Sequence, residues 1–230
     1  MPAVSKQMVN FRSNGMETPG YLARPEEGKA PGVVVIQEFW GLVPHIKEVV
    51  ERVASQGYVA IAPDLYHGKE AVEPDEARKL AMELDRARAV KEIQAAIAYL
   101  RGLPEVDPKR FGVVGFCMGG SLTYATAAAT PNLNAAVVFY GAPREPAGLE
   151  NIRAPVLAFY GGQDHGIPLE RVRELEKTLE QAGVTHEFHV YPQAGHAFFN
   201  DARPSHYDPA AAQDSWKRTL DWFEKYLKAG

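Results

Sequence analysis

The residues best suited to chemistry are a cysteine, an aspartate and a histidine at positions 117, 164 and 196, and the cysteine is the chain's only one. Cys117 lies in Gly115-Phe116-Cys117-Met118-Gly119, the Gly-x-nucleophile-x-Gly pattern of a nucleophile elbow, with a thiol where serine is usual. An elbow turns from strand to helix so sharply that the nucleophile takes a strained backbone conformation, and side chains two residues to either side would collide. The turn also sets the sulfur at a helix N-terminus, where the dipole favours thiolate over thiol. The plainer reading is a core cysteine among helix-packing glycines. An apolar run before the motif and a small-residue run after it supply the strand and helix that an elbow needs. A nucleophile also needs a base, and the base an orienter. His196, in Gln193-Ala194-Gly195-His196-Ala197-Phe198, is the candidate base, with Gly195 expected to let the loop turn the imidazole toward the sulfur. Asp164, in Gly161-Gly162-Gln163-Asp164-His165-Gly166-Ile167-Pro168, is the candidate orienter, or else only a helix N-cap. The order nucleophile, acid, histidine is the one that elbow enzymes use.

Stepping from these residues to their supports, the chain reads as alternating strands and helices. Runs 8–12 and 20–24 flank the turn dipeptide Asn14-Gly15 and predict an antiparallel pair. Short continuous apolar runs at 33–37, 58–62, 111–115, 135–139 and 155–160 predict strands buried on both faces, and 186–191 predicts an alternating strand. Helices are expected over 45–56, 118–129 and 168–182, with two helices or one kinked helix over 75–101. A closing helix over 209–228 should bury a stripe of Trp216, Leu220, Phe223 and Leu227. The pattern predicts an α/β fold with a mainly parallel central sheet of about eight strands, helices on both faces, and a site at the strands' carboxyl ends. No repeat or linker composition interrupts it, so residues 1–230 are expected to form one domain.

Composition narrows the function. Hydrophobic residues make up 46% and charged residues 23%, the balance of a globular protein. A net charge of −4 argues against nucleic acid or an anionic membrane as the main partner. A lone cysteine forms no intrachain disulfide and no thiolate cluster. No apolar stretch near residues 1–15 resembles a signal peptide, and the apolar-rich run 32–43 is too short to span a bilayer, so a cytoplasmic protein is expected. His186 and His189 lie three apart on a strand and so face opposite sides. His45, His67, His165 and His206 read as structural or solvated. No metal-ligand or phosphate-loop pattern is present in the sequence, and no cofactor or metal is expected.

The motifs resemble those of the dienelactone hydrolase (carboxymethylenebutenolidase) family, of α/β-hydrolase fold, over nearly the whole chain. The resemblance is carried by Val35-Ile36-Gln37-Glu38-Phe39-Trp40-Gly41, by Gln56-Gly57-Tyr58-Val59-Ala60-Ile61-Ala62-Pro63-Asp64-Leu65-Tyr66, by the cysteine elbow continuing to Gly120, and by Gly195-His196-Ala197-Phe198. It implies the triad Cys117, Asp164 and His196, a glutamate at Glu38 that holds the resting thiol, and an oxyanion hole from the backbone N–H groups of Phe39 and Met118. It further implies two arginines for a substrate carboxylate. Arg203 matches one, and Arg78 or Arg86 is the candidate for the other. Tyr140 and Trp40 are candidates for the pocket wall or simply for the core. The implied activity is hydrolysis of a small ester or lactone, most readily an anionic one, by a monomer or small homo-oligomer. A general carboxylesterase and a non-catalytic binding scaffold are the alternatives.

Overall fold

A computed structural model describes residues 3–143 and 148–228. Its eight strands form one mostly parallel sheet in the order β1-β2-β4-β3-β5-β6-β7-β8, accompanied by six α-helices, and the chain divides into two compact units at Val113 and Val114.

In the first unit, β1 (Val4–Ser13) and β2 (Met16–Pro25) form an antiparallel hairpin. Asn14 and Gly15 both have positive φ, 52° and 77°, as a twist-matched two-residue turn requires. Strands β3 (Ala30–Ile36) and β4 (Val59–Pro63) run parallel and are buried at every residue. This burial explains their unbroken β-branched and alanine composition. Helix α1 (Pro44–Ser55) buries Ile46, Val49, Val50 and Val53 on one stripe and ends before Gly57, whose φ is 83°. Two helices occupy the 75–101 region: α2 (Pro74–Glu83) and α3 (Arg86–Gly102). Leu84 is extended between them, and Asp85 caps α3 by accepting from Arg88 N–H. Strand β5 (Val106–Phe116) begins in this unit and is longer than the apolar run that announced it.

The second unit continues with α4 (Met118–Ala129), β6 (Ala135–Phe139), a 3₁₀ turn at Leu149–Asn151, β7 (Val156–Gly161) and α5 (Leu169–Gln181). Strand β8 (His186–Tyr191) and α6 (Pro209–Phe223) complete it, followed by a wide helical turn over Glu224–Lys228. Strands β6 and β7 are wholly buried, whereas β8, at the sheet's end, is only partly so. On β8, His186 packs with Phe188 and His189 stacks on Phe159, so the two histidines do serve opposite faces.

One expectation holds only in part: of the four residues of the closing stripe, Phe223 and Leu227 are buried. Helix α6 buries Ala211, Ala212, Ser215, Thr219, Trp222 and Phe223, while Trp216 and Leu220 are only half-buried. Ser215 donates its hydroxyl to Ala211 C=O at 2.7 Å and Thr219 to Ser215 C=O at 2.8 Å. With their polar atoms satisfied inside the helix, both can face the core, which a count of apolar residues misses. Among the described residues, no helix is long and apolar enough to cross a membrane.

Candidate active site

The site builds upward from the end of β5. Cys117 has φ 54° and ψ −113°, a conformation that L-residues avoid. Its N–H is held by Phe139 C=O at 3.0 Å, and its C=O accepts from Ser121 N–H at 3.1 Å as α4 begins. The glycines around it are steric necessities. A Cβ on Gly115 would overlap the Gly119 carbonyl, and one on Gly120 would lie 2.8 Å from Phe139 O and 2.9 Å from Gly141 Cα. Strand β6 and helix α4 can approach this closely only because both facing residues, Gly120 and Gly141, lack side chains.

His196 reaches the sulfur from the loop after β8, with Nε2 3.1 Å from Cys117 Sγ. Its Nδ1–H donates to Asp164 Oδ2 at 2.6 Å. Asp164, after β7, is 6% exposed, and its other oxygen, Oδ1, accepts from Gly166 N–H at 2.8 Å and Ile167 N–H at 3.1 Å. Those two bonds orient the carboxylate before it meets the imidazole. Burial works against charge on Asp164, yet His196 and the two amides hold its carboxyl below the usual range. Burial likewise works against the imidazolium, but the hydrogen bonds and negative charge of Asp164 and Cys117 raise His196 to about 10. An imidazole raised in this way is suited to stand as a cation between a carboxylate and a thiolate.

Gly195 does not supply the turn expected of it. It shows no positive φ, and a Cβ there would meet nothing within 4 Å. The left-handed residue is Ala197, φ 61°, on the far side of His196. The indispensable glycine nearby is Gly161, where a Cβ would press on the Ala194 and Gly195 carbonyls at 2.5 Å. Tyr140, directly after β6, is also left-handed, with φ 38°, and is fully buried. Its ring meets the His196 imidazole at 5.2 Å and 60°, and Phe198 at 5.2 Å and 76°. It therefore packs against the His196 imidazole itself. A support that sequence reading missed is the buried hydroxyl relay from Tyr124 to Tyr160 (2.8 Å) and on to Gly141 C=O (3.1 Å). It pins the backbone against which Gly120 sits, and two tyrosines far apart in sequence carry no signal for it.

The remaining candidates lie as follows. Glu38, immediately after β3, is 1% exposed, and its C=O accepts from Gly41 N–H at 3.3 Å. Phe39 N–H has no acceptor among the described residues, and its carbonyl accepts from Tyr66 Oη at 3.2 Å. Trp40 is packed with Ala71 and Ala77 in an apolar cluster. Arg78 is exposed on α2 and paired with Asp75. Arg86, the first residue of α3, and Arg203, in the turn after the His196 loop, are half-buried.

Residues 18–227 match the family model described as the dienelactone hydrolase family. A curated relative, "Protein usf" of Aquifex pyrophilus, is 39% identical over 96% of this chain and 99% of its own length. A Methylorubrum extorquens protein named "Putative carboxymethylenebutenolidase" is 38% identical over 90% of this chain and 77% of its own. Among solved structures, a dienelactone hydrolase-like promiscuous phosphotriesterase from metagenomic libraries superposes with a TM-score of 0.90 at 27% identity, covering 98% of this chain and 99% of that one.

Proposed function

This chain belongs to the dienelactone hydrolase family and is a hydrolase acting on ester or lactone bonds, and we propose that it works through a Cys117–His196–Asp164 triad and a thioester intermediate. The observation that carries this reading is the unbroken chain from Asp164 Oδ2 through the imidazole to Cys117 Sγ, at 2.6 and 3.1 Å, ending on a strained elbow. Thiolate attacks the carbonyl carbon. The oxyanion is received by the N–H groups of Phe39 and Met118, the first of which has no acceptor among the described residues. The carbonyl re-forms as the bond to the leaving oxygen breaks, and that oxygen departs either as alcohol, protonated by the imidazolium, or as enolate, which then takes the imidazolium proton. His196, now neutral, takes a proton from water, whose oxygen attacks the thioester. Collapse of that second adduct releases the acid and returns the thiolate–imidazolium pair.

Glu38 is read as the group that holds the resting thiol until substrate displaces it. Its burial supports a role beyond surface solvation, because a buried carboxylate is costly unless it is used or paired. The substrate class is read as small esters or lactones, anionic where Arg203 and a second arginine, Arg78 or Arg86, engage a carboxylate. The chain is read as one α/β-hydrolase domain of the cytoplasm. A general carboxylesterase is the second reading. It is favoured by the exposure of Arg78 and its pairing with Asp75, which leaves that residue less suited to anchor substrate.

The test is a panel of anionic lactones, p-nitrophenyl esters and neutral esters run with the wild type, Cys117→Ala and Arg203→Ala. Cys117→Ala is expected to abolish turnover of every substrate. Arg203→Ala is expected to raise KM for anionic substrates only. Turnover surviving in Cys117→Ala would overturn the mechanism, and a uniform Arg203→Ala effect would favour the second reading.

A further inference from the structure

The 37–41 segment carries two of the groups assigned above, the Glu38 side chain and the Phe39 N–H. It is not a regular element, yet it is tied at almost every residue to one loop, 64–71. Gln37 Oε1 accepts from Leu65 N–H at 3.1 Å. Phe39 C=O accepts from Tyr66 Oη at 3.2 Å. Trp40 C=O accepts from Ala71 N–H at 2.9 Å. Gly41, at φ 102°, lies so near this loop that a Cβ would sit 2.8 Å from Lys69 O.

The loop is itself anchored from below. Asp64 accepts from Tyr66 N–H at 3.1 Å through one oxygen and from Gly68 N–H at 2.6 Å through the other. His67 adopts a left-handed φ of 52° and places Nε2 2.9 Å from Glu92 Oε1 on α3. Glu92 is 2% exposed and the His67 side chain 25%, so the carboxylate end of this bond is shielded from water, where it is worth more than at the open surface. The strained histidine and the buried acid thus fix the loop that Tyr66 projects from.

The Phe39 hydrogen bond matters because of peptide geometry. Glu38 C=O is turned to Gly41 N–H, so the N–H of that same trans peptide, the Phe39 N–H, points the opposite way and finds no acceptor among the described residues. A hydrogen bond on the next carbonyl, Phe39 C=O, fixes the following peptide plane. With both planes held, the free N–H has one direction.

We propose that Tyr66 is a positioning residue for oxyanion binding: its hydroxyl on Phe39 C=O, braced by the His67–Glu92 bond, holds the Phe39 N–H in the direction the oxyanion requires. This rests on the thiol mechanism above. Tyr66 touches no reacting atom. Its effect should appear in the steps that form an oxyanion, not in the reactivity of the thiol.

Tyr66→Phe removes one oxygen and leaves the ring. The reading predicts a fall in kcat for ester hydrolysis of roughly tenfold, less than the ~10²–10³ that follows outright loss of an oxyanion donor. KM should change by less than about twofold, since the contact is made in the transition state. Alkylation of Cys117 by iodoacetamide passes through no oxyanion, so its rate should equal the wild type's. His67→Asn suits the left-handed turn but is too short to reach Glu92, and should reproduce the same pattern more weakly. Wild-type kcat in Tyr66→Phe would overturn the assignment. So would parallel losses in hydrolysis, alkylation and thermal stability, which would make Tyr66 a packing residue only. If Cys117→Ala retains hydrolysis, the mechanism itself is at fault and this assignment falls with it. A Cys117-dependent enzyme indifferent to Tyr66→Phe fails here alone.

Discussion

A thiol nucleophile differs from a serine in that its active form is an ion, so the charges around it are part of the catalyst. His196 is raised to about 10 and Asp164 is lowered, and each shift is also a statement about stability. The histidine, raised from 6.5, contributes stability that is complete below about pH 6.5 and is lost as pH climbs through about 10. The aspartate, lowered from 3.8, contributes above that pH, and its share is lost as pH falls through its lower folded value. Between pH 4 and 6.5 both contributions are in force. Melting temperature measured from pH 5 to 10 should therefore decline on the alkaline side in the wild type. Asp164→Asn removes the hydrogen-bonded charge that raises His196, so its alkaline decline should be shallower. A parallel decline in both proteins would mean that the imidazole is not held as a cation. The same variant should lose roughly 10³–10⁴-fold in kcat, because an amide no longer holds the imidazole in the required tautomer.

At the scale of elements, the elbow depends on two chains of contact, one steric and one polar. The steric one predicts a contrast between glycines. Gly120→Ala puts a methyl against backbone on both sides, Phe139 O and Gly141 Cα, and backbone cannot rotate away. It should cost about 1–3 kcal/mol in denaturant unfolding and displace the Cys117 turn. Gly195→Ala meets open space at ordinary φ and should be neutral or gain roughly 0.4–1 kcal/mol, although it adjoins His196. If the two variants unfold alike, the close approach of β6 and α4 does not limit the elbow. This contrast also marks what was legible in the sequence. The strands β3, β4, β6 and β7 were readable because burial on both faces leaves a continuous apolar run. The loops that carry Cys117, Asp164 and His196 stand out because each follows a strand pattern, continuous before the first two and alternating before the third, with small residues. Gly195 was misread because a glycine beside a functional residue suggests a special φ, whereas the strain is borne by Ala197 and Tyr140, held there by tertiary contacts. The polar part of the buried α6 face was missed because the hydroxyls of Ser215 and Thr219 are satisfied within the helix. The Tyr66 and Tyr124–Tyr160 bonds join residues 27, 36 and 19 positions apart, and no local pattern encodes a partner at such a distance.

For the molecule as a whole, the charge balance bears on substrate capture. A net charge of −4 repels an anionic lactone at long range, so productive binding requires a local cationic contact that outweighs the global field. The two effects respond to salt in opposite directions. Screening of the global repulsion raises kcat/KM for an anion, and screening of a local arginine contact lowers it, with a Debye length of about 10 Å at 0.1 M setting the range. With Arg203 anchoring the carboxylate, kcat/KM for an anionic lactone should fall as ionic strength rises, while a neutral p-nitrophenyl ester stays flat. In Arg203→Ala the fall of the lactone's kcat/KM with salt should weaken, because only the second arginine is left to oppose the repulsion. A rise with salt in the wild type would show that the global field dominates and that no arginine holds the substrate, and it would turn the assignment toward neutral esters.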